Sequence, residues 1–139
     1  LKGNDKILWL RHFSAPGGGD PDNFDVRVRS TQRNLGSYGI KQGLKYSRLF
    51  KKNKVEIKHA LSSQWFRAME TCQFFGEFKT FSALNSTFSS KFSGNASKQK
   101  SNLENISNNG MVMAIYCFVH TMSLLVSTLI TMQTKVKWF

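Results

Sequence analysis

The residues whose type and spacing suit chemistry in this sequence are its cations. The 139-residue chain has 20 Lys and Arg against 8 Asp and Glu, a formal net charge of +12. Between residues 27 and 67, eleven basic residues accompany one acid, Glu56. Such a density attracts nucleic-acid phosphates, anionic lipid headgroups or an acidic protein surface. The predicted anion-binding residues are Arg27, Arg29, Arg33, Lys41, Lys45, Arg48, Lys51, Lys52, Lys54 and Lys58.

Aromatic residues are interleaved with these cations, namely Tyr38, Tyr46 and Phe50. Rings beside cations stack on nucleic-acid bases in single-strand-binding proteins. The same combination suits a membrane interface, where the ring lies at the acyl boundary and the ammonium group among headgroups. A solvated basic face without a ligand is the third interpretation, and the sequence leaves all three open.

Groups for nucleophilic, acid-base or metal chemistry are sparse. The two cysteines and three histidines have no zinc-ligand spacing such as C-x-x-C. Cys72 and His59 are thirteen residues apart, about 20 Å along one helix, and therefore cannot meet. Glu70 and Glu77 straddle Gly76 and do not form a carboxylate pair on one face. The sequence predicts a protein that is not an enzyme, with no catalytic residue, no metal site and no cofactor.

A glycine-rich stretch, residues 15–23, contains three consecutive glycines and two prolines. Prolines and glycines at this density interrupt helices and central strands. The G-x-x-x-x-G-K-[ST] pattern of a phosphate-binding loop is absent, and the neighbouring Asp20, Asp22 and Asp25 would repel a phosphate. A flexible linker is the expected structure.

Residues 111–132 contain no charged side chain. As a helix they would span about 33 Å, which matches a bilayer core of about 30 Å. Lys135 and Trp138 follow as interfacial anchors. A transmembrane helix is predicted here, with a buried core helix as the alternative. His120 would then make an intramembrane polar contact, and haem ligation by His120 is a second option that lacks an axial partner in this chain.

Hydrophobic spacing predicts a mainly α fold. A stripe from Ile57 to Phe75 and another from Phe78 to Phe92 indicate a helical pair over about residues 54–92. Alternation predicts a strand at residues 24–30, and residues 44–52 favour a helix within a loop or frayed region. The expected organisation is an N-terminal extension (1–23), a small basic helical region (24–92), a polar linker (93–110), the transmembrane helix (111–132) and a basic tail (133–139).

The tetrapeptide Arg11-His12-Phe13-Ser14 resembles the cleavage site of mitochondrial presequences, in a basic segment with one acid, Asp5. The resemblance implies only targeting, and residues 1–13 would be a presequence remnant. The alternative is a short strand that packs on the core.

Two functions follow from these features. The leading hypothesis is a non-catalytic, single-pass accessory or structural subunit of a membrane complex in the mitochondrial inner membrane. Its partners would be other subunits and anionic lipids, with no small-molecule substrate. The alternative is an RNA-binding structural protein, such as an organellar ribosomal protein, with nucleic acid as the partner.

Overall fold

The computed structural model describes residues 6–57, 59–85, 101 and 113–118. These residues form a four-stranded sheet with two α-helices. The strands are β1 (Lys6–Arg11), β2 (His59–Ser62), β3 (Lys79–Thr80) and β4 (Met113–Phe118), and the helices are α1 (Ser37–Lys52) and α2 (Phe66–Gln73). Two short 3₁₀ turns lie at Arg29–Thr31 and Ser82–Leu84.

All strand pairs in the sheet are parallel, and the strand order is β1-β4-β2-β3. In the register, Ile115 of β4 lies between Leu8 of β1 and Ala60 of β2. Parallel neighbours need crossover connections, which usually contain helices. The prediction of a mainly α protein is therefore wrong: the described residues have a mixed α/β architecture.

The apolar segment predicted to cross a membrane contains β4. No helix of the described residues combines the length and apolarity that a bilayer span requires. The remainder of the segment, residues 111–112 and 119–132, lies outside the described residues, as does the basic tail. The prediction of a transmembrane helix is contradicted. The apolar character of residues 113–118 is explained by the position of β4 inside the sheet, between β1 and β2. Inner strands of parallel sheets are typically covered on both faces, so they read as continuous apolar runs.

The predicted helical pair over residues 54–92 is also wrong. His59–Ser62 is a strand, α2 has eight residues, and Lys79–Thr80 is the edge strand. Residues 86–92 lie outside the described residues. The predicted strand at residues 24–30 is replaced by turns, among them the 3₁₀ turn that begins at Arg29.

The core lies between α2 and the sheet. Trp65, Ala68 and Cys72 project from one side of α2 and its N-terminal boundary, with at most 2% of each exposed. Leu8 and Leu10 of β1 pack against them. The small side chains of Ala68 and Cys72 allow α2 to approach the strands closely, and Thr71 of α2 accepts the N–H of Phe13, two residues after β1.

Helix α1 is longer than the sequence suggested. Three glycines in the interval lower helix propensity by about 1 kcal/mol each, which is why a loop or frayed helix was expected before residue 44. The structure uses Gly43 for packing: a Cβ there would overlap the Phe74 ring. Tertiary contact with the segment after α2 thus outweighs the propensity of the isolated helix.

The C-terminus of α1 predicts a stabilising substitution. Val55 donates its N–H to the carbonyl of Phe50 (2.9 Å) and Lys54 donates to Lys51 (3.1 Å), the hydrogen-bond pattern of a Schellman motif. Lys54 has φ 53°, a left-handed conformation that costs an L-residue about 1 kcal/mol. We expect Lys54→Gly to raise the free energy of unfolding by about 1 kcal/mol in urea titrations.

Lys54→Ala is the matched control, because it removes the same charge but retains Cβ. It should leave stability close to that of the unchanged protein. An equal gain from both substitutions would attribute the effect to charge and contradict the backbone explanation.

Candidate active site

The candidate site begins at the carboxyl end of β1. His12 directly follows Arg11, the last residue of that strand. Ser63 directly follows β2, two strands away in the same parallel sheet. The carboxyl ends of parallel strands meet at one edge, where open α/β sheets bind their ligands. The tetrapeptide at residues 11–14 thus lies at the end of a strand. Of the two interpretations of this segment, a presequence remnant and a short strand packed on the core, the structure shows the strand.

Hydrogen bonding fixes the tautomer of His12. Nδ1 lies 2.7 Å from the carbonyl oxygen of Phe13. Because a carbonyl oxygen can only accept, Nδ1 must carry the proton and donate it. The neutral ring therefore has its lone pair on Nε2. That atom is buried, and within the described part of the chain it has no hydrogen-bond partner.

The environment of His12 keeps the imidazole neutral. The pKa of His12 is lowered from 6.5 to about 4, mainly by burial and in addition by the charges of Arg67, Arg11 and Arg33, while the hydrogen bond to Phe13 opposes the shift. At neutral pH the ring is thus an unprotonated nucleophile or acceptor held among three cations.

Arg67 is the buried cation of the site, with 2% of the residue exposed on α2. Its Nη1 and Nη2 donate to the two carboxylate oxygens of Asp20 at 2.6 and 3.0 Å. This two-point contact occupies one edge of the planar guanidinium. Nε is buried and has no partner among the described residues. The edge that includes Nε is consequently available to an oxyanion.

Asp20 joins several elements through one carboxylate. Besides Arg67, it accepts the indole N–H of Trp65 at 3.1 Å and the backbone N–H of Arg33 at 3.2 Å. Burial alone would raise the pKa of Asp20, but the hydrogen bonds from Arg67 and Arg33 and the charge of Arg67 outweigh it, and the pKa is lowered. Asp20 is therefore ionised at neutral pH and positions both arginines.

The glycine-rich loop holds the second arginine. Arg33 Nη1 donates to the carbonyls of Ala15, at 3.3 Å, and Gly17. Gly17 has φ 104°, and a Cβ there would lie 2.9 Å from Cδ of Arg33. Burial and the charge of Arg67 lower the pKa of Arg33. The stretch expected to be a flexible linker is therefore a wall of the site.

The strand-end loop is tied to both helices. Phe13 donates its N–H to Thr71 Oγ1 on α2 at 3.0 Å. Ser14 donates its N–H to Gln42 Oε1 on α1 at 2.9 Å and accepts the N–H of Gly36 at 3.1 Å. These bonds fix the backbone that directly follows His12, and the pairing of β1 with β4 fixes the backbone before it.

Most of the unsatisfied buried polar atoms of the described residues belong to residues of this candidate site. Five buried side-chain polar atoms lack a partner in the described residues, and four belong to His12 (Nε2), Arg33 (Nε), Ser63 (Oγ) and Arg67 (Nε). Buried polar groups are nearly always hydrogen-bonded, so each exception calls for an explanation. The three donors on Arg33, Ser63 and Arg67 have no partner among the described residues and are of the kind that binds a tetrahedral oxyanion, and the Nε2 lone pair of His12 can act as a nucleophile.

Of the ten predicted anion-binding residues, the structure brings one, Arg33, to this site. Arg27 pairs with Asp25 at 3.2 Å, and Arg29 pairs with Glu70. Lys41, Lys45, Arg48, Lys51 and Lys52 lie on α1, and Lys54 follows that helix. Lys58 lies outside the described residues, and so does His120, the predicted intramembrane contact or haem ligand.

Sequence reasoning missed His12, Arg67 and Asp20. The available signal was an Arg-His pair directly after the apolar run at residues 7–10, which is the pattern of a strand that ends in polar residues. The catalytic candidates that were weighed have other roles. Cys72 is buried and contacts the Leu61 carbonyl, at 3.7 Å, while Glu70 is bound by Arg29 and by the Leu35 N–H.

Comparison with known proteins gives a result for structure but not for sequence. No family model matches this chain, and no curated protein matches it. Among solved structures, the protein histidine phosphatase SixA complexed with tungstate has a TM-score of 0.61 at 20% identity, covering 90% of this chain and 74% of that one. A protein from Agrobacterium tumefaciens, provisionally assigned as the phosphohistidine phosphatase SixA, has a TM-score of 0.61 at 18% identity, covering 91% and 75%.

The chain has the fold of these two proteins. This finding contradicts the expected non-catalytic, single-pass membrane subunit and its alternative as an RNA-binding structural protein. The expected mitochondrial inner-membrane location and the partners assigned with it, other membrane subunits, anionic lipids and nucleic acid, are contradicted as well. The exclusion of enzymatic function is also wrong, because it depended on a linear distance between Cys72 and His59 and overlooked the strand end at His12.

The lowered pKa of His12 predicts a pH effect on stability. Between pH 6.5 and about 4 the unfolded chain binds a proton at this residue and the folded chain does not. Stability from this group is therefore complete above pH 6.5 and declines as the pH falls toward 4, by an amount on the order of 2 kcal/mol. Urea unfolding at pH 7 and pH 4.5 measures the difference.

His12→Asn is the control for this effect, because its side-chain amide can still donate to the Phe13 carbonyl but does not titrate. Its stability should change less between the two pH values. The stability that the folded protein gains from Asp20 is lost only as the pH falls below 3.8, because the pKa of Asp20 is lowered in the folded chain. Identical pH profiles for the variant and the unchanged protein would contradict the assignment.

The ion pair of Asp20 predicts a second stability effect. Asp20→Asn leaves the buried guanidinium of Arg67 without a counter-charge, and breaking a buried pair in this way costs about 3 kcal/mol. Replacing both partners removes the uncompensated charge. We therefore expect Asp20→Asn/Arg67→Met to be more stable than Asp20→Asn in urea unfolding; a single variant as stable as the unchanged protein would refute the structural role of the pair.

Proposed function

We propose that this chain is a phosphatase that transfers a phosphoryl group to Nε2 of His12 and then to water. The observation that carries the proposal is the neutral His12, whose Nε2 has no hydrogen-bond partner among the described residues and which lies within the field of Arg67, Arg33 and Arg11. Arginine is well suited to phosphoryl oxygens because its planar donors match their geometry. The resemblance in fold to two histidine phosphatases supports the proposal by analogy.

In the first step the Nε2 lone pair attacks phosphorus and forms an Nε2–P bond. The bond from phosphorus to the leaving group breaks, and its electron pair goes to the leaving atom, which takes a proton from solvent. In the second step a water oxygen attacks phosphorus, the Nε2–P bond breaks, and its electron pair returns to Nε2. The water proton passes to solvent and inorganic phosphate leaves.

The arginines stabilise both transition states. Phosphoryl transfer spreads negative charge over three equatorial oxygens, so catalysis consists mainly of positioning and charge stabilisation. Arg67 is buried and held by Asp20 before any ligand arrives, so little reorganisation accompanies the reaction. The hydrogen bond from Nδ1 to Phe13 keeps the Nε2 lone pair available in the first step and stabilises the positive ring that forms when Nε2 is phosphorylated.

The substrate class that we propose is N-phosphoryl, with phosphohistidine as its biological form. A P–N bond to an imidazole is labile once the nitrogen is protonated, so a site without a buried general acid can cleave it. Among the described residues of the site the carboxylate is Asp20, which is ionised and bound by four hydrogen bonds and does not supply a proton in this arrangement. One of the two structural neighbours is a protein histidine phosphatase, and the other is provisionally assigned as a phosphohistidine phosphatase.

Phosphate release from phosphoramidate by the purified chain tests the proposal. We expect turnover to fall about a thousandfold or more in His12→Asn, because the nucleophile is lost. Rapid quenching of the unchanged protein should trap an acid-labile phosphoryl group on His12. His59→Asn is the matched control, since His59 is exposed on β2, and it should retain activity. Activity that persists in His12→Asn would overturn the proposal.

A further inference from the structure

Helix α1 presents a row of cations that the active site does not use. Lys41, Lys45, Arg48 and Lys52 follow one another at spacings of four, three and four, which places them in one stripe along the helix. Leu44 and Leu49 border the stripe on opposite sides, each 45% exposed. We call these four cations the basic stripe. With the two leucines it lines a surface groove of about 480 Å³.

The basic stripe has no counter-charge within the described part of the chain. Helix α1 contains no acidic residue. The three ion pairs of the described residues involve Arg27, Arg29 and Arg67, none of them on α1. Cations three and four residues apart on a helix repel one another. An anionic surface laid along the groove would relieve that repulsion.

The basic stripe starts beside the active-site loop. Gln42 accepts the N–H of Ser14, and the Tyr46 ring stacks on Phe13 at 5.6 Å between centroids. From Lys41 the stripe runs about 16 Å along α1, or three helical turns. A protein that delivers a phosphorylated side chain to His12 would therefore place neighbouring parts of its surface near α1.

The order of side chains across the groove identifies the occupant. A membrane-surface helix buries a central apolar face and carries its cations at the margins. The basic stripe has the reverse order, with cations in the centre and leucines at the margins. Nucleic-acid backbones provide phosphates but little for flanking leucines to contact. A helix with carboxylates in its centre and apolar residues at either side complements both features.

We propose that the basic stripe docks an acidic helical surface of a phosphorylated protein substrate, an inference that rests on the proposed phosphatase function. Carboxylates at spacings of four, three and four on the partner helix would face Lys41, Lys45, Arg48 and Lys52 in turn. Leu44 and Leu49 would contact apolar residues on either side of that row. The charges provide selectivity among phosphoproteins, while His12 and its arginines carry out the chemistry.

Two synthetic phosphohistidine peptides test this docking. Both form three helical turns, and they differ in having Glu or Gln at the four matching positions. At low ionic strength we expect kcat/KM to be about tenfold higher for the Glu peptide, mainly through KM, since exposed ion pairs contribute modestly and additively. The preference should shrink as salt screens the charges.

Lys45→Glu/Arg48→Glu should abolish the preference. Arg27→Glu/Lys79→Glu is the control with the same change in net charge away from α1, since both side chains are exposed and lie outside that helix, and it should keep the preference. Phosphoramidate turnover should be unchanged in both variants, because it needs no docking. Equal rates for the two peptides in the unchanged protein, or a preference that survives Lys45→Glu/Arg48→Glu, would overturn the proposal.

Fluorescence anisotropy with the unphosphorylated peptides separates docking from catalysis. Tighter binding of the Glu peptide, lost in Lys45→Glu/Arg48→Glu, supports the docking surface even if phosphoramidate is not hydrolysed, which would refute the proposed function alone. Sedimentation with phosphatidylserine vesicles provides the competing outcome. Vesicle binding that requires the stripe, without any peptide preference, would assign the surface to membranes and refute the inference.

Discussion

The contact between Arg67 and Asp20 is the constraint on which the site depends. One carboxylate accepts four hydrogen bonds, two from the guanidinium, one from the Trp65 indole and one from the Arg33 backbone. This number fills the acceptor capacity of an ionised carboxylate. The glycine-rich loop, α2 and the segment before α1 are thereby fixed relative to one another. Without Asp20, Arg67 would be a buried cation with no compensation, and its orientation toward His12 would be lost.

The site combines groups that are each costly on their own. A neutral histidine is kept unprotonated by burial and by neighbouring cations, and two arginines lie near enough for one to lower the pKa of the other. Such like-charge crowding destabilises a protein that lacks an anion. Electrostatically unfavourable arrangements of this kind are expected at functional sites, where the remaining contacts of the fold hold them in place. The stability of α2 on the sheet, through Trp65, Ala68 and Cys72, supplies that support.

The sequence predicted some local features correctly and misassigned the architecture. The spacing of Ala68, Cys72 and Phe75 indicated a helix, and α2 covers the first two. Ile57 and Leu61 extended the same spacing by coincidence, because they lie before and within β2. Alternating and helical periods overlap over a few residues, so short βα units are easily read as one long helix. Parallel pairing adds to the difficulty, since β1 and β4 are about 100 residues apart in sequence and no local pattern shows that they are neighbours.

The candidate site was harder to predict because its residues are distant in sequence and individually common. His12, Asp20, Arg33 and Arg67 come from a strand end, a loop, a turn and a helix. Each had a plausible ordinary interpretation: a targeting motif, a repulsive acid in a linker, one cation among many, and a polar residue beside a helical stripe. The charge excess predicted anion binding along α1, where most of the exposed cations of the described residues lie, and that prediction is untested. It did not indicate the candidate site at the strand end, because Arg67 is buried there.

The cations of this chain operate in two electrostatic regimes. Arg67 is 2% exposed, and charges in such surroundings interact strongly and are little affected by salt. Those of α1 are exposed and screened, so they act weakly and over a wide area. Buried cations suit a transition state, whose charge has to be stabilised at fixed atoms. Exposed, screened cations suit a partner that has to bind and dissociate. The net charge of +12 therefore combines cations with two different roles. Burial determines whether a cation can stabilise a transition state or bind a partner surface.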